Sequence, residues 1–367
     1  MRWFISAGEA SGDAYGAALV QEVRGRGVNP QIEAVGGRLL RQSGVSMVAD
    51  STRWGAISIG QSLGVGGRVG VGFMRAKRVL SSGTPGVFMP IDFGAMNIRL
   101  ARFAKARGWK VLYFIPPGSW RKDRQGADLP KITDAIVTPF SWSADILNGM
   151  GARAHWFGHP VRALAAEPPP PGDREGIAIL PGSRHHEIAH NLPVIARAAK
   201  GWPACEFAVA VTLDPDELRR EWIRLSGRPD DRFTTDDVYG VLSRARTAVV
   251  CSGTATLQAV VAGIPMVVMY RLGRWAEVEA RLLGFKRRVK YISLPNIFLD
   301  RTLVPELIQH DANPEAIRDW VARLDSGPER TAQIAGFAAI TEMLGPPDAI
   351  RRTGDLLVEW LGGAPVQ

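Results

Sequence analysis

Short apolar runs recur along the chain, at residues 2–7, 32–35, 86–91, 111–115, 135–138, 176–180, 207–211, 248–251 and 266–270. Their near-continuous aliphatic character, rather than strict alternation, is the habit of strands buried on both faces of a parallel sheet. Between and after them, apolar residues at helical spacing predict helices around 14–24, 38–43, 236–245, 255–262, 274–288, 314–324 and 349–361. Strand and helix in alternation predict doubly wound α/β architecture.

At 367 residues the chain is long for one core and comfortable for two. The four consecutive prolines Pro168–Pro171 form a stiff, extended connector. We expect a first domain over 1–167, a linker at 168–173, a second domain over 174–345, and a terminal amphipathic helix at 346–367 that packs back on the first.

In α/β sheets of this kind ligands gather at the carboxyl ends of the strands, so the strand-end loops come next. Thr247–Arg271 reads as a β-α-β unit whose turn is Ser252-Gly253-Thr254. Gly253 lets backbone N–H groups approach a ligand, the two hydroxyls add donors, and a helix N-terminus favours negative charge, which would suit a diphosphate. Arg184, in Pro181-Gly182-Ser183-Arg184, is a permanent planar cation at another strand end, suited to a phosphate pair. The first strand opens into Gly8-Glu9-Ala10-Ser11-Gly12-Asp13. Its glycines lack the dinucleotide-binding spacing, and the acids Glu9 and Asp13 would repel phosphate, so this loop is read as holding sugar hydroxyls, or else as a polar turn with Asp13 as N-cap. Asp92 ends the strand at 86–91 with Asn97 close behind, and is the candidate general base.

Composition narrows the classes. The two cysteines, Cys205 and Cys251, lie in apolar runs and read as small buried hydrophobes. No Cys/His spacing suggests a metal site; His185, His186 and His190 read as a solvated helix start, and no cofactor is expected. The apolar run at the N-terminus is too short for a signal peptide, and no stretch approaches the length of a membrane span, which predicts a cytoplasmic protein. The net charge of +9 is concentrated. Residues 97–124 carry eight Lys/Arg against one Asp, and residues 271–290 seven against two Glu. Such segments suit a phosphorylated substrate, an anionic membrane or nucleic acid, but no nucleic-acid module signature accompanies them. Residues 54–74 hold seven glycines and a single charge, Arg68. They are read as a place for acyl chains or a membrane surface, or as glycine-rich helix packing.

Taken in order, GEASGD at 8–13, ID at 91–92, GHP at 158–160, PGSR at 181–184, SGTATL at 252–257, GIPMVVMYR at 263–271, YISLPNI at 291–297 and PELIQ at 305–309 resemble the lipid-A-disaccharide synthase family. The resemblance runs through nearly the whole chain. It implies two Rossmann-like doubly wound domains facing across a cleft, the GT-B type of glycosyltransferase, with the second domain binding the UDP-sugar. It implies inverting transfer of 2,3-diacylglucosamine from UDP to 2,3-diacylglucosamine 1-phosphate, forming a β-1,6 linkage. Asp92 matches the catalytic acid; Arg184, Ser252, Gly253, Thr254 and Asn296 match positions around UDP, and Gly8, Glu9, Ser11, Gly12 and Asp13 the sugar loop. Such a protein would draw acylated substrates from the anionic inner-membrane surface as a peripheral protein, bind no nucleic acid, and is compatible with a homodimer. Three places depart from the family pattern: Ala95 stands for a second acid, Ile115–Trp120 replaces a Ser-Pro-Ser segment, and Gln258 stands for an acid that would hold ribose. A same-fold transferase with another acceptor, and a retired enzyme that binds nucleotide-sugar or lipid, stay open on these grounds.

Overall fold

The computed structural model describes residues 1–52, 54, 59–165, 174–273 and 290–362, with backbone alone for 59–65 and 95. The proline run and the whole of the helix predicted over 274–288 lie outside the described residues. The chain divides into two compact units, Met1–Leu164 with Leu344–Gln367, and Ala165–Met343.

The first unit is built on β1 (Arg2–Ala7), β2 (Gln31–Gly36), β3 (Ser46–Asp50), β4 (Val87–Ile91), β5 (Lys110–Phe114), β6 (Ala135–Thr138) and β7 (Ala154–Trp156). All pairings are parallel, in the order β3-β2-β1-β4-β5-β6-β7. The order reverses direction between β1 and β4. Successive residues of β1 face opposite sides: Trp3, Ile5 and Ala7 join one core with Leu19, Val20 and Val23, while Phe4 joins the other with Phe88, Leu100 and Tyr113. That two-sided burial is why these strands read as unbroken apolar runs.

The amphipathic helix Ala349–Trp360 belongs to this unit. It buries Ile350, Leu357 and Val358 against helix Ala10–Gly25, where an Arg26–Asp355 ion pair and the contact of Gly354 with Glu22 fix the approach. Leu357 is fully buried. Leu357→Ala is expected to lower unfolding free energy by about 2–5 kcal/mol, which chemical denaturation of the first unit would measure.

The second unit is built on β8 (Ile177–Leu180), β9 (Cys205–Val209), β10 (Arg232–Thr235), β11 (Thr247–Cys251), β12 (Met266–Tyr270) and β13 (Glu306–Ile308). These are again all parallel, ordered β10-β9-β8-β11-β12-β13, with the reversal between β8 and β11. Its core gathers Ile179, Phe207, Trp222, Val249, Val267 and Ile317. Cys205 and Cys251 are buried free thiols in no disulfide, and burial pushes the Cys205 thiol up to about 12. Among the described residues, no helix is long and apolar enough to cross a membrane.

The glycine-rich stretch is helical from Ile59 to Ser81. Gly72 is where the chain needs a missing side chain, because a Cβ there would lie 2.4 Å from the Trp54 ring. Gly67, Arg68, Val71, Met74, Arg75 and Arg78 are exposed along one stripe of this helix.

Candidate functional site

Each sheet has a topological switch point, where neighbouring strands send their chains to opposite sides and leave a crevice at the carboxyl edge. In the first unit, β1 pairs with β4 so that Ala7 lies opposite Ile91. The loop from Gly8 and the turn at Asp92 therefore emerge side by side. The Phe93 ring occupies the space over Gly8, where a Cβ would sit 2.1 Å from it, so a side chain at position 8 would have to displace that ring.

Asp92 and Phe93 both adopt left-handed backbone, with φ of 44° and 48°. Each such non-glycine residue costs about 1–3 kcal/mol and persists only when its surroundings hold it. Here the Asp92 N–H donates to the Phe114 carbonyl at 3.1 Å. The Asp92 carbonyl accepts from Asn97 Nδ2 at 2.9 Å and from the Tyr113 hydroxyl at 3.0 Å. Asn97 is fully buried; its amide also reaches the Ser6 and Ile91 carbonyls, and its Oδ1 accepts from Ser6 Oγ at 2.7 Å. Burial, reinforced by the charge of Glu9, pushes the Asp92 carboxyl up to about 6, against a hydrogen bond from the Phe93 N–H. The result is a carboxylate at neutral pH with the affinity for a proton that a general base needs.

Glu9 is exposed and Ser11 half-buried, both at the start of helix Ala10–Gly25, and Gly12 packs closely on Ala7 and Ile91. Asp13, placed with them in the sugar loop from the sequence, is turned inward. Its carboxylate is buried and accepts from the N–H groups of Gly37, Leu39 and Leu40, capping the next helix, Arg38–Gln42, rather than its own. Buried and holding three backbone N–H groups, this side chain is turned toward the neighbouring helix.

In the second unit, Leu180 lies opposite Val250, so the loop after β8 and the turn after β11 emerge together. Gly182 has a φ of 131°, and a Cβ there would lie 2.6 Å from Glu187. That opening admits Glu187, which accepts from the N–H groups of Ser183 at 2.8 Å and Arg184 at 3.2 Å and pairs with Arg184 Nη1 at 2.9 Å. Glu187 is buried, while the Arg184 side chain stays 28% exposed. The guanidinium is thus aimed from a rigid base. Asn191, on the same helix His185–Ala198, donates to the Pro181 carbonyl and Cys251 Sγ and accepts from the Arg271 N–H, tying the ends of β8, β11 and β12.

Across the switch point, Gly253 has a φ of 148° and open space around it, ahead of helix Thr254–Val261. Ser252 Oγ donates to the Ile292 carbonyl at 2.7 Å, so this hydroxyl anchors the neighbouring loop as well as lining the turn. Gln258 is half-buried one turn further along. Asn296, placed near UDP from the sequence, is also turned inward. It is fully buried, its amide donates to Glu306 and the Val304 carbonyl, and its oxygen accepts from the Leu303 and Val304 N–H groups. Every polar group of that side chain is used within the protein. Asn296 shapes the loop and does not present itself to a ligand.

Glu187, Asn191, Tyr113 and Glu306 were not singled out from the sequence as site residues. Glu306 accepts from Ile292 N–H, Ser293 N–H, Ser293 Oγ and Asn296, and so orders the loop that Ser252 touches. The signal for it was present, since Glu306 lies inside PELIQ and Glu187 three residues after PGSR. Among the described residues no group of three metal-ligating side chains converges.

Residues 3–335 match the family described as lipid-A-disaccharide synthetase. The lipid-A-disaccharide synthase of Geobacter sulfurreducens is 31% identical, over 98% of this chain and 97% of the relative. Lipid-A-disaccharide synthase 1 of Legionella pneumophila strain Paris is 28% identical over 97% of each. Among solved structures, the fold is similar to MurG of Acinetobacter baumannii, with a TM-score of 0.57 at 13% identity over 98% of this chain and 99% of that one. It is equally similar to CalG4, the calicheamicin glycosyltransferase, with a TM-score of 0.58 at 14% identity over 98% of this chain and 98% of that one. These structures share the fold, and the sequence relatives match the chain over nearly its whole length; the protein therefore belongs to the lipid-A-disaccharide synthetase family and is a GT-B glycosyltransferase of lipid A biosynthesis.

Proposed function

We propose that the protein transfers 2,3-diacylglucosamine from UDP to the 6-hydroxyl of 2,3-diacylglucosamine 1-phosphate with inversion. The observation that carries this reading is the Asp92 carboxylate, held at the switch point of the first sheet with its pKa raised to about 6. Asp92 takes the proton of the acceptor hydroxyl as that oxygen bonds to the anomeric carbon, and the bond from that carbon to the diphosphate breaks. Attack on the face of the anomeric carbon opposite the departing diphosphate inverts its configuration and forms a β linkage.

The charge that appears on UDP is met in the second unit. Arg184 and the N-terminus of helix Thr254–Val261, opened by Ser252 and Gly253, supply fixed positive potential without rearrangement. Gln258 offers its amide to the ribose. A Methanocaldococcus jannaschii UDP-GlcNAc 2-epimerase solved with UDP-GlcNAc and UDP has the same fold, with a TM-score of 0.57 at 10% identity, over 98% of this chain and 100% of that one, which supports a nucleotide-sugar site on this scaffold. Glu9 and Ser11 line the sugar side.

The exposed stripe of helix Ile59–Ser81 sets Val71, 45% exposed, and Met74, 63% exposed, among Arg68, Arg75 and Arg78. Apolar side chains ringed by arginine suit peripheral contact with an anionic membrane surface, from which acylated substrates come. A cytoplasmic protein at the inner membrane follows from this reading.

A second reading, transfer to a different acceptor, draws on the segment after β5, where Ile115 sits in left-handed backbone with a φ of 54° and leads into two prolines. Incubation with both diacylated substrates in detergent micelles, followed by mass spectrometry, separates the two. The tetraacylated disaccharide phosphate with stoichiometric UDP is the expected product. UDP binding with no disaccharide would overturn the acceptor assignment.

A further inference from the structure

The Asp92 turn is held from outside itself. Two consecutive non-glycine residues in left-handed backbone do not stay there unaided, and the groups that hold them are few and identifiable. The Asp92 carbonyl receives two donors, from Asn97 on helix Gly94–Lys105 and from Tyr113 on β5. Asn97 in turn bridges the ends of β1 and β4 through the Ser6 and Ile91 carbonyls, with Ser6 Oγ fixing the orientation of its amide. Ser6, Asn97 and Tyr113 are all fully buried. None of these three side chains faces a ligand.

We infer that Tyr113 and Asn97 are positioning residues for the reaction: by bonding the Asp92 carbonyl they lock the strained turn, and the turn sets where the Asp92 carboxylate stands relative to the acceptor hydroxyl. The inference rests on the reading of Asp92 as base. Release of the carbonyl allows the peptide to rotate toward ordinary backbone angles, and the carboxylate moves with it. A displacement of about 1 Å at a reacting group costs on the order of 10²-fold in rate. Tyr113 is the sharper of the two probes, because its ring fills the core while only its hydroxyl reaches the turn.

The test uses Tyr113→Phe, which keeps the packing and removes one hydrogen bond, beside Asn97→Ala and Asp92→Asn. Turnover, donor KM, UDP affinity and the pH dependence of turnover are measured for each folded variant. The expected result for Tyr113→Phe is a loss of about ten- to a hundredfold in kcat, with donor KM and UDP affinity unchanged and the acid limb of the pH profile moved from its wild-type position. Asn97→Ala, where it folds, is expected to show the same pattern more strongly. An inactive Asp92→Asn together with a Tyr113→Phe variant of wild-type kcat and pH profile would overturn the positioning role while leaving the base in place. So would a loss in Tyr113→Phe that tracks the folded fraction with an unmoved acid limb. An Asp92→Asn variant of wild-type turnover would instead remove the base, and the positioning role with it.

Discussion

Asp92→Asn is expected to lower turnover by about 10²–10⁴-fold, the range that a positioned general base supplies, while UDP binding is unchanged. The same substitution is expected to stabilise the fold at pH 7. Folding raises the Asp92 carboxyl from the ordinary carboxylate range to about 6, first through burial and then through Glu9. Between those two values the native state binds the proton more tightly than the unfolded chain does. Stability therefore falls as pH rises through that window, and above it the full cost of keeping the charge in the site is present. Asparagine carries no such charge. By linkage the cost approaches about 3 kcal/mol, so urea denaturation at pH 7.5 should show the variant more stable than wild type, with the difference shrinking toward pH 4. Higher activity and lower stability from one carboxylate is the pattern of a residue kept for chemistry.

The second large effect is expected at Arg184. Arg184→Ala removes a fixed cation from the diphosphate side and should lower kcat/KM by about 10²–10³-fold, the loss seen when one preorganised donor to developing charge is deleted. UDP affinity should fall as well, because UDP carries that charge in the ground state. A competing explanation is that the variant disorders the loop, and Glu187→Gln tests it. Glutamine still accepts from the Ser183 and Arg184 N–H groups through its oxygen but gives up the charge that aims the guanidinium. A Glu187→Gln variant that binds UDP moderately well while Arg184→Ala does not assigns the effect to the guanidinium. Equal losses in both, with the loop N–H bonds kept in Glu187→Gln, would assign it to the guanidinium geometry that the Glu187 charge sets.

Much of the scaffold was readable because parallel strands covered on both faces must be apolar along their whole length, as Val87–Ile91 and Thr247–Cys251 are. The strand-end loops were readable for the same reason, since polar and glycine residues interrupt those runs where a ligand crevice opens. Edge strands escaped: β3 and β10 are partly exposed, and their residues lack the continuous apolar signature. Helix Pro215–Ser226 also escaped, although Asp214 caps it, Pro215 opens it and Gly227 closes it in left-handed backbone. Helix Ile59–Ser81 was obscured by glycines, each of which costs about 1 kcal/mol in a helix interior, so local propensity argued against what the unit's packing enforces.

Within the site, residue type was legible and engagement was not. An acid in a glycine-rich loop and an asparagine in a strand-end motif both suit a sugar-nucleotide. Whether their oxygens face a ligand or a helix terminus depends on partners 24 to 27 residues away for Asp13, and on the loop closed by Glu306 for Asn296. Buried polar side chains must be satisfied somewhere, and only the three-dimensional neighbourhood says where. Asp92 and Arg184 are less fully engaged: the Asp92 carboxylate accepts from the Phe93 N–H, and Arg184, at the N-cap of its own helix, pairs with Glu187 while its side chain stays 28% exposed.

The measurement that bears most directly on the central claim is the rate of disaccharide formation from UDP-2,3-diacylglucosamine and 2,3-diacylglucosamine 1-phosphate, followed by mass spectrometry between pH 5 and 8 for wild type and Asp92→Asn. The expected result is wild-type turnover that falls away below a pH of about 6, with the variant lower by orders of magnitude throughout. A variant that forms disaccharide at the wild-type rate across that range would contradict the account.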